Sequence, residues 1–280
     1  MADVGIIHPG AMGISVAASA ANGGNTVRWA SEGRSEATKE RAAEHSLVDA
    51  ATLADLVAAS SIIVSVCPPH AAEEVAERVA GIAFDGTYLD ANAISPARSV
   101  RIGGIIEKAG ASYVDGGIVG GPAWTPGETW LYLSGGRADD VAACFQAGPL
   151  ETAVLGREPG RASALKMCYA AYTKGTTALL SAIVAAACRL DVYDALMEQW
   201  ARDWPDLPES ARRRATRVTR KSWRFAGEMD EIAETLESVR VPGGFHRAAG
   251  EVYRRTAHFK DAVEIPELDE VIDAIAKEEQ

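Results

Sequence analysis

Short runs of β-branched and other apolar residues alternate with alanine-rich segments through about residue 156. The runs fall at 4–8, 26–29, 61–66, 87–90, 113–115, 130–134 and 153–155, and Gly, Pro, Asp or Asn punctuates most of their ends. Apolar runs this short, bounded by turn residues, predict strands; with helix-favouring segments between them they predict a parallel sheet with helices on both faces. After Pro159 the pattern changes. From 162 to 190 nearly every position is apolar or small, without β-branched alternation, which predicts a long helix buried on most sides. Helical segments near 193–203, 209–221, 222–238 and 244–257 follow, divided by Pro205, Pro208 and Pro242-Gly243-Gly244. The chain is expected to divide near residue 158 into an α/β part, 1–158, and an all-helical part, 159–280. No internal repeat or low-complexity tract interrupts this pattern.

The first predicted strand leads through Val4-Gly5-Ile6-Ile7-His8-Pro9-Gly10-Ala11-Met12-Gly13 into an alanine-rich helix. The spacing is that of G-x-G-x-x-G with His8 in the first glycine's place. Such a turn lets a dinucleotide pyrophosphate approach backbone N–H groups at a helix N-terminus: Gly10 permits the approach and Gly13 lets helix and strand pack closely. The strand before it, the helix after it and a second strand about 20 residues on favour this reading over a tight turn that binds nothing. His8 is either a cofactor contact or a capping loop histidine. At the end of the second strand, Val27-Arg28-Trp29-Ala30-Ser31-Glu32-Gly33-Arg34-Ser35, no acidic residue stands directly at the strand terminus. A ribose 2′-hydroxyl calls for a carboxylate there and a 2′-phosphate for hydroxyl and guanidinium donors. Ser31 and Arg34 are such donors and Glu32 stands one residue late, so NADP(H) is expected over NAD(H).

Composition narrows the partners. Across 280 residues, Lys+Arg 28 against Asp+Glu 39 gives a net charge of −11, which argues against generic binding to nucleic acid or anionic membrane. Cys67, Cys144, Cys168 and Cys188 lie far apart without a CxxC pair, so reduced thiols are expected rather than disulfides or zinc. His8, His45, His70, His246 and His258 show no metal-ligand spacing, and no metal is expected. The opening residues lack the length and basic flank of a signal peptide, and the longest uncharged helical stretch, 175–188, is shorter than the roughly 18–20 residues of a membrane span. A cytoplasmic protein is expected.

Further segments carry a family resemblance. Pro9-Gly10-Ala11-Met12-Gly13, Val66-Cys67-Pro68-Pro69 after the 61–66 strand, Asp90-Ala91-Asn92 after the next, Val114-Asp115-Gly116-Gly117-Ile118-Val119-Gly120-Gly121, and Gly160-Arg161-Ala162-Ser163-Ala164-Leu165-Lys166 occur in order. Together they resemble the β-hydroxyacid dehydrogenase superfamily, which contains 3-hydroxyisobutyrate and 6-phosphogluconate dehydrogenases and is related to imine reductases. The resemblance covers most of residues 4–260. It implies an α/β Rossmann domain with a doubly wound parallel sheet, followed by an all-α C-terminal domain, in a homodimer whose active site lies between domains. Beside Ser31 and Arg34, read from the end of the second strand, it places His8, Pro9, Gly10, Ala11, Met12, Gly13, Cys67, Pro68 and Asn92 at the cofactor, Val119, Gly120 and Gly121 at the substrate, and Lys166 as general acid/base. Ala162, Leu165, Met167, Cys168 and Tyr169 surround that lysine in sequence, and partial desolvation among them eases release of its proton.

The sequence also departs from the family pattern. Val119 replaces the signature serine, Tyr169 stands where an asparagine follows the lysine, and Gly227, before Glu228-Met229, occupies the place of a cofactor-facing lysine. Recognition of a simple hydroxyacid carboxylate is thereby weakened. Tyr169 is either a substituted substrate donor or a core residue, and Trp124, in the Gly/Pro-punctuated 120–130 loop with Trp130, either walls an apolar pocket or packs the sheet edge. Arg212, Arg213, Arg214, Arg217, Arg220, Lys221 and Arg224 form a basic stretch whose default is a solvated helix surface. The leading expectation is an NADP-dependent oxidoreductase acting on a carbonyl/alcohol pair. An imine reductase and a non-catalytic NADP(H)-binding protein are its rivals.

Overall fold

The computed structural model describes residues 1–277 and contains two compact units, one over Met1–Met167 and the other from Cys168 onward. In the first, strands β1 (Asp3–Ile6), β2 (Thr26–Trp29), β3 (Val48–Asp49), β4 (Ile62–Ser65), β5 (Thr87–Asp90), β6 (Ser112–Val119), β7 (Thr129–Ser134) and β8 (Leu150–Val154) form one sheet in the order β3-β2-β1-β4-β5-β6-β7-β8. All neighbouring pairs are parallel except β6 and β7, which run antiparallel. The chain order reverses at β1 and β4, so loops after these strands flank the crevice where doubly wound sheets take ligands.

Both faces of this sheet are covered, which is why its strands are apolar at successive positions rather than alternately. Ile62, Val64 and Leu89 face one side with Ile14, Val16 and Ala17 of α1 (Ala11–Asn22) and Val141 of α6 (Ala138–Ala143). Ile63, Tyr88 and Tyr113 face the other with Leu56 of α3 (Leu53–Ala58), Val75 and Val79 of α4 (Ala72–Ala80), and Ile102 and Ile106 of α5 (Pro96–Lys108). Each large aliphatic side chain so buried contributes roughly 1.5–3 kcal/mol. The buried face of α1 mixes Ile14 and Val16 with the small residues Gly13, Ser15, Ala17, Ser19 and Ala20. Between β2 and β3 runs α2 (Glu36–Glu44), whose only buried residue is Ala42.

A 29-residue helix, α7 (Arg161–Arg189), starts in the first unit and continues into the second. The second unit adds α8 (Tyr193–Asp203), α9 (Leu207–Arg217), α10 (Thr219–Ser238), α11 (Gly244–Arg255) and α12 (Leu268–Ile275). There Ala185 of α7 packs on Val271, Ile272 and Ile275, while Leu180 and Val184 pack on Ala211. Lys174 pairs with Glu228, both largely buried, and lies 4.4 Å from the Phe225 ring centroid; the Tyr253 hydroxyl donates to the Lys174 carbonyl at 2.7 Å.

Three sequence expectations change. The two-residue β3, Val48–Asp49, is too short to form an apolar run that the sequence pattern could mark. β6 runs on through Gly116 and Gly117 to Val119 instead of stopping at 115. α7 is less enclosed than its apolar sequence suggested: Tyr172 is 74% and Leu179 43% exposed.

Candidate active site

The turn after β1 is shaped by two glycines with different constraints. Gly10 caps α1 without any side-chain hydrogen bond, its N–H donating to the His8 carbonyl at 2.8 Å, and a Cβ built on it meets nothing within 4 Å. Uncapped first-turn amides beside open space form the cradle an anion needs. At Gly13 a Cβ would lie 2.1 Å from the His8 carbonyl oxygen, so only glycine lets the helix enter this close to the strand. Pro9 is held by Arg41 of α2, whose guanidinium donates to its carbonyl at 3.2 Å. Ala11 and Met12 open the helix.

At the end of β2, Arg34 and Arg78 line one hollow together with Ile7, Ala30, Val75 and Glu32. Arg34 Nε is buried without a hydrogen-bond partner, and no carboxylate forms an ion pair with either arginine among the described residues. Burial holds the His8 imidazole at about 4, below its ordinary range, and the charges of Arg34 and Arg78 push the same way. His8 is therefore neutral near pH 7, with Nδ1 unpartnered. Burial, and then Arg78, also lowers the Arg34 pKa. Ser31 lies beside Asp49, and its hydroxyl and N–H help hold that carboxyl below its ordinary range. Nothing local in the sequence marks Arg78, on α4; only the fold brings it to the same hollow as Arg34.

The remaining cofactor candidates form a second group. The Asn92 side-chain oxygen accepts from Cys67 N–H at 2.6 Å, its amide donates to Ser65 Oγ at 3.2 Å, and its backbone N–H donates to Asp90 at 3.0 Å. Asn92 thus fixes the turn after β4 that carries Cys67 and Pro68. Burial, reinforced by the charge of Asp90, pushes the Cys67 thiol up to about 12, so it remains protonated.

The third group joins β6 to α7. A Cβ on Gly117 would stand 2.6 Å from the Ala162 carbonyl oxygen and 3.0 Å from Lys166 Cβ. That glycine lets the first turns of α7 rest on the strand that ends in Val119, Gly120 and Gly121. Gly120 adopts φ +125° and Gly121 accepts from Thr129 Oγ1 at 2.8 Å. Asp115, within the family signature, is fully buried and meets five donors. It accepts from Ser99 Oγ (2.8 Å), Ser134 Oγ (2.9 Å), Gly160 N (2.9 Å), Ser163 N (3.0 Å) and Ser163 Oγ (2.5 Å).

Trp124 lies elsewhere in the first unit. It stacks on His45 at the end of α2, ring centroids 5.0 Å apart, while the preceding Ala123 N–H donates to Ser15 Oγ of α1 at 2.9 Å. The loop therefore straps α1 and α2, and Trp130 stacks on Tyr132 within β7. Tyr169, 49% exposed, is not a core residue of the single chain. In the basic stretch every residue is exposed except Arg224, which is half-buried with its Nε unpartnered. Among the described residues no group of three or more His, Cys, Asp and Glu is arranged to hold a metal ion, and no helix is long and apolar enough to cross a membrane.

The doubly wound sheet and its uncapped glycine turn define a dinucleotide-binding protein. Residues 3–147 match the NAD binding domain of 6-phosphogluconate dehydrogenase, and residues 187–256 match a domain of unknown function, DUF1932. The chain belongs to the β-hydroxyacid dehydrogenase superfamily, a family of NAD(P)-dependent oxidoreductases. An uncharacterized 28.5 kDa protein of Methanothermus fervidus is 32% identical over 168 residues, a stretch covering 60% of this chain and 64% of that relative. A conserved protein of unknown function, described as structurally similar to 3-hydroxyacid dehydrogenases, aligns at 28% identity over 93% of this chain and all of its own, with a TM-score of 0.66. Two more distant structures share the fold. Mycobacterium tuberculosis 3-hydroxyisobutyrate dehydrogenase with L-serine aligns at 14% identity over 99% of this chain and 100% of its own (TM-score 0.71). An Aspergillus terreus reductive aminase with NADPH and ethyl levulinate aligns at 17% over 98% and 99% (TM-score 0.58).

Proposed function

We propose that this protein is an NADP(H)-dependent oxidoreductase acting on a carbonyl/alcohol pair, with Lys166 as its general acid/base. The observation that carries the reading is the seat of Lys166, packed against Gly117 on the strand that delivers Val119, Gly120 and Gly121. Nicotinamide, when bound, supplies or accepts the hydride at the reacting carbon. The first-turn amides of Ala11 and Met12 hold the pyrophosphate, with Gly10 leaving the approach open and Gly13 setting the helix against the strand. Neutral His8 lends that anion an N–H donor without adding a charge. Lys166 Nζ gives a proton to the carbonyl oxygen as an alcohol forms and takes it back in the oxidative direction. Val119 presents no hydroxyl to a substrate carboxylate, which favours a less acidic substrate than a simple hydroxyacid.

Cofactor choice rests on Arg34 and Arg78. Two guanidinium groups without ion-pair partners face one carboxylate, Glu32, in the same hollow, so a 2′-phosphate gains more there than a ribose hydroxyl. A charge-assisted hydrogen bond contributes about 1.5–3 kcal/mol, so Arg34→Ala should weaken NADPH binding about 10- to 100-fold, and Arg78→Ala by about tenfold. NADH binding should stay nearly constant in both. Nucleotide fluorescence titration measures all four values, and equal losses for the two nucleotides would refute the assignment. The wild-type titration, followed by a screen of ketoacids, aldehydes, alcohols and cyclic imines for NADPH consumption, tests the reading as a whole. Absence of NADPH binding ends it, and binding without turnover of any substrate class leaves a non-catalytic binder.

Imine reduction is the second reading, favoured by the exposed Tyr169 and by Val119 in place of a hydroxyl donor. Turnover of cyclic imines in preference to ketones selects it. A homodimer forms part of the proposal, since Tyr172 and Leu179 present apolar surface two helical turns apart on α7. Sedimentation should give twice the mass of one chain, and Tyr172→Asp should shift it toward the monomer.

A further inference from the structure

Most helices satisfy their first N–H groups with a side chain at the N-cap or with water. The helix that carries Lys166 does neither. Its N-cap, Gly160, has no side chain to offer and sits at φ +95°, a conformation that favours glycine. The amides that open the helix are met from the sheet instead: Gly160 N–H and Ser163 N–H donate to Asp115 Oδ2, and Ala162 N–H donates to Ser134 Oγ at 3.1 Å. Ser99 Oγ and Ser163 Oγ donate to the other carboxylate oxygen, and Ser134 Oγ also donates to Oδ2. Asp115, Ser99, Ser134 and Ser163 are all fully buried. Three serines and two backbone amides from α5, β7 and the start of α7 thus converge on one carboxylate of β6.

We propose that Asp115 is a positioning residue for Lys166, fixing the rotation and axial setting of the helix that carries the amine against the strand that leads to the substrate-binding glycines. Ser163 and Lys166 are three residues apart and share a helix face, so the clamp and the lysine belong to the same turn. Gly117, two residues beyond Asp115 on β6, is the point where the strand meets Lys166 Cβ. Any slip of α7 along β6 therefore displaces the amine. A buried carboxylate one turn from that amine also belongs to the field in which the amine holds its proton. An uncharged residue of similar size would fill the space but would leave five donors competing for fewer acceptor sites. The catalytic meaning of the inference rests on Lys166 as proton carrier, as proposed above; the positional claim concerns the amine itself.

The test needs no substrate. The full chain is treated with limiting acetic anhydride over a pH series, and Lys166 acetylation is read by peptide mass spectrometry relative to Lys108, an exposed lysine in the last turn of α5. In Asp115→Asn the Lys166/Lys108 ratio should change by at least about threefold and the pH of half-reaction should move. NADPH affinity should stay within about twofold, because the glycine turn is a separate structure. Ser163→Ala, which deletes a single oxygen of the clamp, should shift the ratio in the same direction by less. An unchanged ratio and midpoint in folded Asp115→Asn overturn the proposal. If that variant does not fold, an unchanged ratio and midpoint in Ser163→Ala overturn it instead. Full turnover in Lys166→Ala would remove the proton-carrier reading, while the acetylation result would still decide whether Asp115 sets the lysine.

Discussion

Lys166→Ala is expected to lower turnover of whichever carbonyl or alcohol the screen identifies by a factor of about 10²–10⁴, the range over which a positioned acid or base contributes. NADPH affinity should be unaffected, because the groups proposed to hold the nucleotide lie at the β1–α1 turn and the end of β2. The loss should therefore fall on kcat and on kcat/KM for the substrate, with the nucleotide KM constant, as expected when an interaction of the transition state is removed. Lys166→Arg separates proton transfer from charge. A guanidinium keeps the positive charge but does not give up its proton in the working pH range. If Lys166 only attracts an electron-rich oxygen, arginine should restore much of the activity; if it delivers the proton, arginine should be nearly as poor as alanine. Undiminished turnover in the alanine variant would leave the fold and cofactor assignments in place and assign the proton to another group, with Tyr169 the first to examine.

How much of this site the sequence discloses depends on how local each constraint is. Gly10 and Gly13 are legible because the demand on them is set within a few residues: open space at one, a backbone oxygen 2.1 Å from a hypothetical Cβ at the other. Lys166 is legible only through a family resemblance. The lysine has no local signature of its own, and its setting comes from Gly117 and Asp115 on a strand far away in sequence. Gly116 and Gly117 make β6 read as ending early, since glycine disfavours strand, yet the close approach of α7 requires a residue without a side chain at 117. Arg78 is invisible in the sequence because an amphipathic helix places exposed arginines for many reasons, and only its convergence with Arg34 gives this one a role. Ser31 shows the converse. A hydroxyl at the right distance from the glycine turn reads as a phosphate donor, and only the fold shows that a carboxylate, Asp49, stands beside it. The position of Trp124 is equally non-local: its ring stacks on His45 at the end of α2, and the preceding Ala123 N–H donates to Ser15 of α1.

Asp90→Asn should abolish one pH dependence of stability. Asp90 and Asp115 are register partners on adjacent strands, both buried, and differ in how their oxygens are satisfied. Asp115 has five donors, whereas Asp90 accepts from Asn92 N–H and leaves Oδ2 without a partner. Burial, and then the neighbouring charge of Asp115, raises the Asp90 carboxyl from 3.8 to about 7 against the opposing pull of Asn92 and Arg98. The folded protein thus keeps a proton on Asp90 that the unfolded chain gives up near pH 4. Its contribution to stability is full below that pH and is lost as pH rises through about 7. A displacement of about three pH units corresponds to about 4 kcal/mol across this window. Asparagine cannot ionise, so whatever constant cost its buried amide carries, that cost does not vary with pH. Urea unfolding of both proteins from about pH 4 to about pH 8 should show their stability difference moving by about 4 kcal/mol in favour of Asp90→Asn as pH rises. A difference independent of pH would mean that Asp90 is ionised throughout in the folded protein, with Arg98 or an unseen donor satisfying its second oxygen.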